Sequence, residues 1–308
     1  MQTRFFSPCS AMHISGGAKH RHYRCYHKVA KTLAALCAAS LLCSLSACSA
    51  TLPRLAGRAE AERQMSPCEQ ALTQATQATQ ANAVTDADVT GLSPAEPLMV
   101  RYLKAQSVPL AWIDVAGTCP ARFGEGVLRN AQSKYQLATM AAKLGQDAPA
   151  VSPARLDGVT EAAVPTDVLG AFALAEDRAG FAIEVLAARD ETTGATLTVS
   201  DMHKTAAQQL VSLALRADDT YQDPRLKVYA VDQLLANPST IADAASGRSV
   251  PTAAAVEMDC ARTEIAALDT ADGRSNTDTV LILAALAAKH AYNALQLGYP
   301  ADDTALFD

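Results

Sequence analysis

The sequence predicts an all-α protein: a helical N-terminal module followed by a four-helix bundle with one long crossover. Three observations lead there. From residue 66 onward, apolar residues recur at intervals of three and four, the spacing of one helix face. Capping signatures stand ahead of several of those runs. No stretch alternates apolar and polar residues over a useful strand length, and aromatic residues make up only 5% of the chain, so β-favouring side chains are scarce.

Taken in order, Ser66-Pro67-Cys68-Glu69 is a capping box with proline at the first helical position, and it opens a helix through "EQALTQATQATQANA". The repeated "TQATQATQA" is polar and reads as a solvated face. Ser93-Pro94-Ala95-Glu96 repeats the device ahead of "PLMVRYLKAQ". Residues 108–118, "VPLAWIDVAGT", read as a short extended piece around the lone tryptophan, Trp112. A long helix runs from about Arg122 to Leu144 on the stripe Leu128, Ala131, Tyr135, Ala138 and Ala142, and Gly145 ends it. Pro149, Pro153, Gly158 and Pro165 then mark a linker. Helices are expected at about 167–189, 201–217, 225–236, 252–270 and 277–297. The links 190–200 and 271–276 are short, and 218–251 is the crossover. "VLILAALAA" in the last helix is apolar nearly all round, as suits a central element.

Ahead of residue 66 the chain reads differently. "TLAALCAASLLCSLSA", residues 32–47, is uncharged and too short for a permanent span, and "KHRHYRCYHKVAK" before it is basic. A basic region, an apolar region and small residues at its end describe a secretory signal, with Met1 or Met12 as the start. Its last residues, Leu45-Ser46-Ala47-Cys48, resemble the lipobox of bacterial lipoproteins. That resemblance implies acylation of the Cys48 thiol, cleavage before it, and attachment to the extracytoplasmic face of the cell membrane. The expected organisation is a signal peptide (1–47), a lipidated tether (48–65), a helical module (66–145), a linker (146–165) and the bundle (166–308).

The leader holds six of the 26 Lys and Arg and none of the 32 acids, so the remaining chain carries 20 bases and a net charge of −12. That balance argues against nucleic acid as a partner. With Cys48 acylated, Cys68, Cys119 and Cys260 remain in a disulfide-permissive compartment. Cys68 and Cys119, nearest in sequence, are the expected bridge. Cys260 reads as a small buried thiol, with its pairing to either of the others left open.

The segments "AFALAEDRAGFAIEVLAAR", "AAAVEMDCARTEIAALDTA" and "LAALAAKHAYNALQLG", with two hairpins and a single crossover, resemble the ferritin-like domains of unknown function found in actinobacterial proteins. The resemblance implies a place where metal-binding members hold iron or manganese. They use a glutamate from each of two helices and a Glu-x-x-His pair from each of the others. Glu176 interrupts the stripe Leu169, Phe172, Ala179, Ile183. Glu257 is followed by Cys260 and Glu264 at three and seven residues. His290 aligns with Leu283, Ala287 and Ala294, and His203 lies near the start of the second helix. Glu176, Glu257 and His290 are therefore the candidate metal ligands. The departures are plain: Ala287 stands three residues before His290 and Ser200 three before His203, so neither Glu-x-x-His pair exists. The competing expectation pairs Glu176 and Glu257 with a base such as Arg178 or Arg262, and makes His290 a hydrogen-bonded core histidine.

No Gly-rich phosphate loop, Gly-x-Ser-x-Gly elbow or Cys-x-x-Cys is present, and no catalytic residue is assigned. Cys119 at a helix start would make a thiol nucleophile only without its bridge. Three functions follow as expectations: a noncatalytic envelope lipoprotein that binds or supports, with no cofactor; an oxidase-like metal-binding bundle; or a small-molecule binder with its ligand near Trp112.

Overall fold

Ser66 starts the first helix as its neighbours dictate. Its hydroxyl accepts the Glu69 N–H at 3.2 Å, and the Glu69 carboxylate accepts the Ser66 N–H at 2.7 Å. In a computed structural model the described residues are 65–81, 96–147, 156–189, 192, 194–269 and 277–307. Cys48, the leader, the tether up to residue 64 and the Ser93 cap lie outside them. The N-terminal elements are α1 (Pro67–Gln80), α2 (Leu98–Ala105), α3 (Val108–Thr118) and α4 (Phe123–Leu144). Gly145 closes α4 with φ 65°, a left-handed conformation that glycine adopts without Cβ strain.

The expected extended piece at 108–118 is instead the helix α3. Valine, isoleucine and tryptophan favour strands by residue type, but Val108, Trp112, Val115 and Cys119 fall at helical intervals and are all buried, so the period decides. Cys119 bridges Cys68 with a Cα–Cα separation of 4.8 Å and pins α1 to α3. The Trp112 indole N–H donates to Thr79 Oγ1 at 2.9 Å within that small satellite core. Helices α3 and α4 touch backbone to backbone where a Cβ on Gly126 would lie 2.5 Å from the Ala116 nitrogen.

The second half contains α5 (Thr166–Ala187), α6 (Leu197–Ala217), the short α7 (Asp232–Ala236), an antiparallel hairpin β1 (Thr240–Ala242) and β2 (Ser249–Pro251), then α8 (Thr252–Asp269), α9 (Thr277–Gln296) and α10 (Asp303–Phe307). α5 and α6 run antiparallel, with Ser200 against Gly180 and Tyr221 against Gly170. α8 and α9 form the second hairpin, and α8 lies against α5. The helix expected at 225–236 shrinks to α7. The Leu226 N–H donates to the Tyr229 hydroxyl, which donates to Asp177 on α5, so this segment's polar groups bond outward rather than along a helix.

α9 is covered on one side by α8 and on another by α3 and α4, because a helix apolar nearly all round needs cover on more than one face. Phe123 and Val127 of α4 therefore share one core with Leu169 and Phe172 of α5, Leu210 of α6, Met258 of α8 and Leu283 of α9. The stretches read as a module (66–145) and a bundle (166–308) meet in that core, and Gln64–Asp308 form one compact unit. Among the described residues no helix is long and apolar enough to cross a membrane.

Asp243 anchors the crossover. It accepts the Ser246 N–H and hydroxyl at 2.7 Å each and the Tyr299 hydroxyl at 2.8 Å, with Arg262 of α8 at 3.2 Å. Burial opposes its charge, but the bonds from Ser246 and Tyr299 and the Arg262 charge prevail and hold the carboxyl below its usual range. A carboxyl depressed on folding stabilises above its unfolded pKa and loses that contribution as pH falls. The urea midpoint should therefore drop as pH falls below about 4, and Asp243→Asn should be less stable at neutral pH and flatter in that window. Equal acid sensitivity in the variant would remove Asp243 from this role.

Candidate functional site

Four helices each deliver one polar side chain to the same point. Glu176 sits mid-stripe in α5, and His203 heads the buried row Ala207, Leu210, Ala214 of α6. Glu257 lies on α8, and His290 lies among the buried alanines and leucines of α9. None of the four is more than 2% exposed. Gly180 sets the approach: a Cβ there would meet His203 Cβ at 3.1 Å, and the Ser200 hydroxyl donates to the Gly180 carbonyl at 2.8 Å. A glycine thus lets α6 close on α5 and brings His203 to Glu176.

The geometry is a closed quartet. His203 and His290 stack with ring centroids 4.5 Å apart and 18° between planes. Glu176 flanks one edge of the pair, with Oε2 2.5 Å from His203 Nδ1 and Oε1 3.0 Å from His290 Nε2. Glu257 flanks the other, with Oε2 2.9 Å from His290 Nδ1 and Oε1 3.5 Å from His203 Nε2. Asn293 Nδ2 donates to Glu257 Oε1 at 3.4 Å.

Burial works against every charge here, and the pairing outweighs it. Glu176 is held down to about 2 chiefly by the His290 charge and the His203 hydrogen bond. Bonds from both histidines likewise hold Glu257 well below the usual carboxylate range. His290 rises well above its ordinary value through the charge and hydrogen bond of Glu176. His203 rises despite the neighbouring His290 charge, through its bonds to Glu176 and Glu257. Two imidazoliums and two carboxylates leave the quartet neutral. Chemically it can exchange two ring protons for one divalent cation and stay neutral, which matters where an unbalanced charge is costly.

Sequence reasoning singled out Glu176, Glu257 and His290, and all three meet here. The expected arginine partners do not. Arg178 pairs with Asp259 at 3.4 Å and Arg262 with Asp243. Positions two and five apart on a helix point in different directions, so neither arginine shares a face with its proposed glutamate. His203 belongs to the site although it was outside the candidate set; its signal was the buried row four, seven and eleven residues on. Cys260 and Glu264 follow Glu257 on α8. Cys260 is a free buried cysteine, and both Glu264 oxygens are buried without a hydrogen bond. Burial pushes the Glu264 carboxyl and the Cys260 thiol well above their ordinary pKa values. One donor atom from each of Glu176, His203, Cys260 and His290 lies within 4.8 Å of the others. Beside them, between α5 and α8 and beneath the crossover, lies a cavity of about 530 Å³. Trp112 takes no part in that cavity, and the Cys119 sulfur is committed to its bridge.

The chain is thus an all-α protein with a buried histidine–glutamate centre in its helical core. No protein family, curated protein or solved structure matches it.

Proposed function

We propose that this is a lipid-anchored, extracytoplasmic protein whose helical core binds one divalent transition-metal ion. The observation that carries the reading is the convergence of Glu176, His203, Glu257 and His290 from four helices on one buried point. Isolated buried ionisable groups are costly; buried charges pair with one another or coordinate metals, and a cluster of them marks a functional-site candidate. The donor set fits. Imidazole nitrogen and carboxylate oxygen suit zinc, iron and manganese, and the unbonded oxygens of buried Glu264 leave acceptor capacity beside them. It also departs from the two-metal ferritin-like pattern. Ala287 and Ser200 replace the glutamates of both Glu-x-x-His pairs, and Ser200 spends its hydroxyl on Gly180, so the carboxylates needed to bridge two ions are missing. One ion is the stoichiometry these residues favour. A bound ion would supply Lewis acidity, and iron or manganese would add redox chemistry; the residues assign no reaction.

Metal content tests this directly. The fragment from Ser49, which contains the whole compact unit, is purified without chelator or histidine tag and exposed to zinc, iron or manganese. About one ion per chain is expected by mass spectrometry, lost in His203→Ala. No stoichiometric metal under any of these conditions would sink the reading. A second reading, a metal-free polar seam, is favoured by the way every ring nitrogen already faces a carboxylate oxygen. The anchor is tested separately: Cys48→Ser should move the protein from the membrane to the soluble extracytoplasmic fraction. Persistent membrane association would remove the lipoprotein assignment.

A further inference from the structure

We propose that Cys260 supplies a thiolate to this metal, completing a tetrahedral set of His203 Nδ1, His290 Nε2, a Glu176 oxygen and Cys260 Sγ. The inference rests on the metal reading above and gives it ligands, preference and orientation.

The two edges of the quartet differ. The ring nitrogens on one side, His203 Nδ1 and His290 Nε2, both face Glu176. Those on the other, His203 Nε2 and His290 Nδ1, both face Glu257. A histidine that binds metal through one nitrogen is held by an acceptor on the other. Glu257, itself bonded by Asn293, is therefore the orienting carboxylate, and the ion belongs on the Glu176 side. Cys260 marks the same side. Its sulfur joins Glu176, His203 and His290 in the group spanned by 4.8 Å, and Glu257 is not a member of that group.

A tetrahedral ion with bonds of ~2.0–2.3 Å needs ligand atoms roughly 3.3–3.6 Å apart, so the group closes with about 1 Å of movement. Cys260 belongs to a buried cluster that includes the small residues Ala175, Ala179, Ala182 and Ala253 beside Ile183, Leu186 and Val256. The route is also present. Cys260 forms part of the wall of the 530 Å³ cavity, whose lining holds Asp232, Asp243 and Asp259 against Arg178 and Arg262, an excess of negative charge that favours an incoming cation. On binding, the N–H bonds at His203 Nδ1 and His290 Nε2 and the Cys260 S–H bond break, and each donor atom keeps its electron pair for the metal. Three protons leave to solvent through that opening; two of them balance the ion's charge, and the thiolate leaves the centre with one net negative charge. A sulfur donor with two imidazoles favours zinc and cobalt over manganese.

The test uses the fragment from Ser49 under nonreducing conditions. With Cys68 and Cys119 bridged, Cys260 is its single thiol, so any thiolate signal reports that residue alone. Cobalt(II) is added and the near-ultraviolet thiolate-to-cobalt absorption recorded beside the visible bands. The expected result is one cobalt per chain with the charge-transfer band. Cys260→Ser and Cys260→Ala should lose the band, keep the helical circular dichroism, and bind zinc about tenfold or more weakly. Cobalt bound with visible bands but no charge-transfer band, or a band surviving in either variant, overturns Cys260 as a ligand and leaves the metal site standing. No cobalt bound at all overturns both.

Discussion

His290→Leu is expected to cost the metal-free protein about 3–5 kcal/mol, the penalty for stranding buried charges whose partner has been removed. His290 is the one residue that meets both carboxylates at 3.0 Å or less, through Glu176 Oε1 and Glu257 Oε2. Without it two buried carboxylates face the single His203 ring, in a core where neither reaches water. Because a domain of this size has only about 5–15 kcal/mol in hand, the loss should appear as a large drop in the urea midpoint. Replacing Glu176, His203, Glu257 and His290 together by leucine should be neutral or stabilising, since no charge is then left to desolvate. The pair of variants separates two roles. A quartet that is costly to break yet dispensable as a whole is kept for what it binds. If the fourfold variant loses several kcal/mol as well, the quartet is a structural seam. If His290→Leu costs under about 1 kcal/mol, the ionic pairing described here is wrong.

Opening the Cys68–Cys119 bridge is the second large effect. The cysteines are 51 residues apart, and closing a loop of that length removes chain entropy worth about 4 kcal/mol from the unfolded state. The other contacts that hold α1 are few: it buries Ala71 and Ala75, half-buries Leu72 and Ala78, and accepts the Trp112 bond at Thr79, while its glutamines Gln74, Gln77 and Gln80 face outward. Cys68→Ser with Cys119→Ser should therefore lower the melting temperature and release α1 ahead of the main core. The lone tryptophan reads the event, because Trp112 is buried under α1 and bonded to Thr79. A red-shifted emission below the main transition is expected. Unchanged emission and melting temperature would show that α1 docks through its own packing.

What could be read beforehand followed the range of the forces. The Ser66 cap, the Gly145 stop and the helix periods are local, set by backbone groups and side chains within a turn or two, and they appear where residue types place them. α3 departs from the expected extended piece because the helical spacing of Val108, Trp112 and Val115 outweighs the strand preference of its residue types. Glu176, Glu257 and His290 stood out because each breaks an apolar stripe, a legible anomaly. Their partners were not legible. Whether Glu176 meets Arg178 or His203 depends on the rotation of α5 and α6 about their axes, and Gly180 settles that only once the two helices are packed.

By itself the sequence determined the all-α class, the long helices and the polar residues that interrupt their apolar stripes, because each follows from helical period and side-chain chemistry. Only the tertiary structure decided that two histidines stack between two glutamates with a cysteine and an unbonded carboxyl alongside. That arrangement depends on interhelical contacts between residues up to 114 positions apart, for which no local pattern exists.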